Sequence, residues 1–196
     1  MSISTRTRLS PEQSRSAAIK AARRLLLTEG PGAVTLKAVA AEIGRTHANL
    51  LHHFGSASGL QAELARSIAE SVTSSIADAV ERARAHETDA RTIVDLTFDA
   101  FGREGAGALA AWMILTGNRD ALNPILDALR GVVAQLSVGH EDHHVPDTTL
   151  WLVLLALGDS LLGRPIAEAL GIDCDTAREI AAKRLRAQIE ALHPRS

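Results

Sequence analysis

Apolar residues recur along this chain every three to four positions, and period-2 alternation is absent, so the pattern predicts helices throughout. Ser10-Pro11-Glu12-Gln13 opens the first helix: Ser10 caps, Pro11 suits the first helical position and Gln13 completes a capping box. That helix runs to about residue 29 with Ile19, Ala22 and Leu26 inward, and Gly30-Pro31-Gly32 ends it. Thr35 caps a short second helix burying Leu36, Val39, Ala40 and Ile43. Gly44 makes the turn, Thr46 caps a third helix, and Leu50 lies inward. A long fourth helix, to about residue 84, carries Leu60, Leu64, Ile68, Val72, Ile76 and Val80 in one stripe.

Further helices are predicted over residues 90–102, 108–115, 119–138, 148–163 and 175–192. The segment 148–163 is apolar nearly all round, so it must be covered on more than one side, and a second subunit is the natural second cover. The fold class expected is all-α. A helix-turn-helix domain with the N-terminal arm is expected over residues 1–56, and a larger helical domain over residues 57–196.

Two short helices joined by a Gly-containing turn are the form of a DNA-binding helix-turn-helix, with the second helix in the major groove. Arg45 and Asn49 are the expected base readers, since Arg pairs bidentately with guanine and Asn with adenine. His47 can read a base or touch phosphate. Thr35, Lys37, Thr46, His52 and His53 are expected on the phosphate backbone, where contacts set register. A plain helical hairpin with a solvated surface is the competing reading.

Thr35, Ala40, Gly44, Leu50, His53 and Phe54, followed by Ser56 and Leu60, resemble in order and spacing the N-terminal domain of the TetR-type transcriptional regulators. The resemblance covers about residues 15–64. It departs at Leu51, where the family usually has Tyr, and at Ala57, where it usually has Lys; both usual residues touch DNA phosphate. The resemblance implies that the fourth helix joins the DNA domain to the body. It also implies a small-molecule effector in that body, a homodimer formed by the last two long helices, and action as a repressor on a palindromic operator. Candidate effector contacts are Phe98, Phe101, Trp112, Met113 and Asp159, with Asp95, Asp99 and Asn118 as further polar candidates. Candidate interface residues are Trp151, Leu154, Leu161, Ile180, Leu185 and Ile189.

Charge sharpens this picture. The net charge of −2 over 196 residues divides into +5 for residues 1–60 and −7 for the rest, so a polyanion partner is expected at the N-terminal third only. Residues 1–9, with Arg6 and Arg8, are expected as a basic arm. Cys174 is the only cysteine, so no intramolecular disulfide forms and a reducing cytoplasm is the expected setting. The N-terminus has no signal-peptide core, and the longest apolar run, residues 150–157, is too short to span a bilayer.

His140, His143 and His144 beside Glu141 and Asp142 suggest a metal, but their spacing is not that of helical ligands, and no metal or cofactor is expected. Gly102, Gly105 and Gly107 fit no nucleotide fingerprint, and no nucleophile motif is present, so no catalytic residue is expected. The alternatives to a ligand-responsive regulator are a ligand-independent helical DNA-binding protein and, more remotely, a helical enzyme using the loop histidines.

Overall fold

The computed structural model describes residues 10–85, 89–138 and 145–192. The basic arm, His86 and the histidine loop with His140, His143 and His144 lie outside the described residues, as does the side chain of Leu192. The described chain is helical, without strands. The helices are α1 (Pro11–Glu29), α2 (Leu36–Glu42), α3 (His47–Phe54), α4 (Ala57–Arg84), α5 (Ala90–Phe101), α6 (Ala106–Leu115), α7 (Asn123–Ser137), α8 (Val145–Gly158), α9 (Arg164–Leu170) and α10 (Thr176–Leu192). Short 3₁₀ turns at Pro31–Ala33 and Arg119–Leu122 precede α2 and α7.

Local chemistry fixes the small N-terminal unit. Ser10 and Gln13 form the reciprocal capping box at the start of α1. Thr35 and Thr46 each accept a backbone N–H three residues on, from Ala38 and Asn49, and so cap α2 and α3. Between them Gly44 stands at φ 64°, the left-handed conformation an L side chain resists. The Gly44 N–H donates to Ala41 O at 3.2 Å and the Arg45 N–H to Ala40 O at 2.8 Å, so two otherwise orphaned carbonyls are satisfied.

Two apolar cores share α4. The first joins Ala18, Ala22 and Leu26 of α1 to Val39, Leu50 and Phe54, and to Leu60, Leu64 and Ile68 in the first half of α4. It also takes in Leu109 and Met113 of α6, so it extends past residue 56 into the body. The second core holds Ala79 and Ala83 from the far half of α4 with Val94 and Phe98 of α5, Leu152 and Ala156 of α8, and Ala181 and Leu185 of α10. A leucine buried in either core contributes roughly 1.5–3 kcal/mol.

The largest departure from the expected elements is at the eighth helix. It was expected to end near residue 163, yet α8 and α9 form one continuous helical run, Val145–Leu170. The join is a π turn, Asp159–Gly163, with Pro165 directly after it. Proline has no N–H to donate, and the wider turn absorbs the missing bond without breaking the helix. A Cβ at Gly163 would stand 2.3 Å from Asp159 Oδ1, so any larger residue there would displace the Asp159 side chain. At 26 residues and mean hydropathy 1.5, the run is long and apolar enough to cross a membrane by length and composition. Few of its residues are buried, notably Leu152, Ala156 and Ala167, while Leu150, Leu154, Leu161, Leu162, Ile166 and Leu170 are exposed.

Two glycines with opposite surroundings test the packing. At Gly107 of α6 a Cβ would meet Ser160 Oγ at 2.2 Å and Phe101 O at 2.9 Å, whereas Gly131 in α7 has open space. Gly107→Ala should therefore destabilise by about 1–3 kcal/mol, and Gly131→Ala should stabilise by about 0.5–1 kcal/mol. Urea unfolding of the two variants checks the opposite signs.

Candidate nucleic-acid interface and apolar cavity

The start of α3 presents a polar surface. Leu50 and Phe54 turn into the core, which directs the other side of the helix outward. Thr46, His47, Leu51 and His52 are exposed and Arg45 is half-exposed. Lys37 and Thr35 are exposed at the start of α2. Arg45 and Lys37 have no ion-pair partner among the described residues, so their charge is available to a polyanion.

Asn49, expected as an adenine reader, is half-buried, and its Oδ1 is buried without a hydrogen-bond partner among the described residues. Adenine pairing uses both ends of the amide, so Asn49 would have to turn its side chain outward to make it. Leu51, which reasoning from polar side chains passed over, is 43% exposed on that face and offers an apolar contact. His53 is half-buried with its carbonyl accepting a 3.0 Å hydrogen bond from Arg15, while His52 stays exposed.

The basic character of the N-terminal third is smaller than its formal charge. Arg15 pairs with Glu63 at 2.9 Å and lies over the Phe54 ring at 5.1 Å, so it ties α1 to α3 and α4. Arg24 pairs with Glu42 at 2.6 Å, and Arg23 pairs with Glu104 on the body. These three arginines are paired with carboxylates and do not stand free toward a polyanion. Their partners are distant in sequence, and charge counting does not reveal them.

Behind this domain, an apolar cavity of about 170 Å³ lies between α4, α5, α7, α8 and α10. Ile76 and Val80 of α4, Ile93 of α5, Leu129 of α7, Leu152 of α8 and Leu185 of α10 are among its walls. Its polar lining is Thr73, Thr97, Thr148, Thr149 and Gln188. A smaller chamber of about 60 Å³ adjoins it, sharing Thr73, Ile76, Thr97, Leu129 and Val153 and reaching Phe101.

The expected effector residues divide. Phe101 lines the smaller chamber. Phe98 is 1% exposed in the second core, with the Arg178 guanidinium 5.2 Å from its ring centre. Trp112 and Met113 line neither chamber: Met113 is buried in the first core, and Trp112 lies against Gly32 beside α1. Asn118 donates to Gln61 Oε1 at 3.5 Å, and Gln61 donates to Val34 O at 3.3 Å, linking body and DNA domain. The composition of α6 could not show which way it faces, because it is apolar on all sides.

Asp95, Asp99 and Asp159 belong to a charged cluster outside the cavity. Arg178 donates to Asp95 at 3.1 Å and to Asp99 at 2.7 Å, and Arg91 bridges Asp95 and Asp175 at 2.9 Å to each, so α5 is clasped to α10. Burial disfavours the Arg178 charge, but the hydrogen bonds it donates to Asp99 and Asp95 outweigh this and its pKa is raised. Burial also raises the Asp159 carboxyl above its ordinary value, opposed by the Arg178 charge.

The expected interface residues divide as well. Leu154, Leu161 and Ile180 are exposed. Trp151 is half-buried under the Arg184 guanidinium, 4.6 Å from its ring centre. Leu185 is buried, and both it and Ile189 face the cavity. Among the described residues no cluster of His, Cys, Asp and Glu could hold a metal ion, and Cys174 is an exposed free thiol.

Residues 18–64 match the family model described as bacterial regulatory proteins, tetR family. Among curated proteins none matches the sequence. Three solved structures share the fold. The multidrug binding protein EbrR, complexed with imidazole, superposes with TM-score 0.60 at 23% identity over 88% of this chain and 94% of that one. A regulatory protein designated SCO4313 gives 0.56 at 18% identity over 90% and 97%. A protein assigned as a tetR family transcription regulator from Shewanella sp. PV-4 gives 0.50 at 14% identity over 89% and 96%. At these identities the likeness is one of fold, extending across the body as well as the DNA domain.

Because a raised carboxyl pKa means that folding disfavours the charged form, Asp159 should weaken stability as pH rises from the unfolded-state pKa through the folded one. Asp159→Asn should therefore melt higher than the parent near pH 7, and the gain should vanish below about pH 4. Thermal unfolding of both proteins at the two pH values measures it.

Proposed function

We propose that the chain, whose residues 18–64 match the tetR family model, is a transcriptional regulator that acts as a homodimer on a near-palindromic operator, as a repressor released by a small molecule. The observation that carries this reading is the course of α4. Its first half, with Leu60, Leu64 and Ile68, is packed into the DNA-binding core, and its second half, with Thr73, Ile76, Val80 and Ala83, lines the cavity. A molecule that fits the cavity in only one setting of α4 biases the two recognition helices, and it shifts the equilibrium by its differential affinity alone.

In this reading Arg45 reads a base edge from the start of α3, with Thr46, His47 and Leu51 beside it. Lys37, Thr35 and His52 contact phosphates, and the His53 carbonyl anchors Arg15 behind them. The dimer forms on the apolar face left open by Val145–Leu170 and α10, where Leu154, Leu161 and Ile180 are exposed. Covering that face removes a patch too apolar for a monomer in water. Trp151 lies at its edge. Leu185 and Ile189 support the cavity wall and are not interface residues. A cytoplasmic setting and the absence of enzymatic chemistry accompany this function.

Two outcomes are expected. Arg45→Ala should cost ~1–3 kcal/mol of operator affinity and relax base preference at one position of each half-site. An affinity loss equal on all sequences would reduce Arg45 to a phosphate contact. Leu161→Glu with Ile180→Glu should give a monomer by light scattering, with folding intact and operator binding lost; a stable dimer would place the interface elsewhere.

A further inference from the structure

Resting on the reading of the cavity as the effector site, we infer that it selects a neutral, mainly aliphatic molecule carrying a hydrogen-bond donor, which Gln188 Oε1 receives. The walls supply the first part of the argument. Among the described residues no charged side chain lines the larger chamber, and its lining holds no aromatic ring. An ammonium or carboxylate entering there would shed its hydration with no opposite charge to meet and, for a cation, no ring face to stack on. Charged groups are present in the body, but Arg91, Asp95, Asp99, Asp159 and Arg178 gather at a separate site with Asp175.

The polar lining supplies the second part. Thr73 Oγ1 already donates to Ala69 O at 2.8 Å, and Thr97 Oγ1 to Ile93 O at 2.8 Å, so both hydroxyl protons are committed within their own helices. Gln188 Oε1 is buried and has no partner among the described residues, and Gln188 lines the cavity. A buried acceptor without a donor is unfavourable, and turning the Gln188 amide toward a ligand O–H or N–H in the cavity relieves it.

Size supplies the third. An apolar cavity of roughly 150 Å³ holds a benzene molecule. The larger chamber has about 170 Å³, and the adjoining one, about 60 Å³, extends it past Thr73 and Thr97. The pair suits a molecule of roughly six to ten non-hydrogen atoms, of which a medium-chain alcohol is the simplest representative.

Calorimetric titration of the full-length protein with 1-octanol, octanoate and octylammonium at pH 7 tests the selectivity. Octanol should bind at least about tenfold more tightly than either ion, and Gln188→Leu should weaken octanol about tenfold while leaving toluene binding in place. Should Gln188→Leu fail to fold, Gln188→Met serves the same purpose, with toluene binding again reporting an intact cavity. An ion that matches octanol, an octanol affinity unchanged by the substitution, or no binding by any of the three overturns the inference. Operator binding measured with and without octanol separates the two readings. Selective octanol binding that leaves operator affinity unchanged supports this chemistry and counts against the effector role.

Discussion

Everything in this molecule depends on α4 belonging to two cores at once. A 28-residue helix extends about 42 Å, far more than a small three-helix unit can bury. Its stripe continues past Ile68 without a break, so the second half must find a second core, and α5, α7, α8 and α10 supply it. The DNA domain therefore does not end where its own helices end. Leu109 and Met113 of α6 complete its core from the body, Trp112 lies on Gly32, and Arg23 pairs with Glu104 across the same seam. Displacing the far half of α4 must strain these contacts or carry the helix-turn-helix with it.

The parts legible from the amino-acid sequence are those ruled by local chemistry. Thr35, Gly44 and Thr46 act within a few residues of themselves, through caps and a left-handed turn, and the helix-turn-helix follows from them. The amphipathic stripes of α1, α4 and α10 are similarly local. What the sequence hides depends on distant partners. Arg15, Arg23 and Arg24 count as positive charge in any composition, yet each is tied to a carboxylate across the fold. Asn49 has the right chemistry for a base reader, but its amide oxygen faces inward.

The cavity is hidden for a different reason. Its walls are mainly Ile, Val, Leu and Thr, which in a sequence are indistinguishable from solid core, whereas the side chains that suggest a pocket, Phe98, Trp112 and Met113 among them, fill the cores or the seam. A void is a failure of side chains from five helices to meet, and no single segment records it. The helix expected to end near residue 163 continues for a reason no local signal records: a π turn at Asp159–Gly163 carries it past Pro165.

The central claim is that α3 reads DNA as one of a symmetric pair, and selection of binding sites by the full-length protein from random double-stranded DNA tests it most directly. An inverted repeat is expected to be enriched, with half-sites about 10–10.5 base pairs apart, centre to centre, or a multiple of that spacing. Enrichment of a single unrepeated half-site, or of no sequence at all, would contradict it.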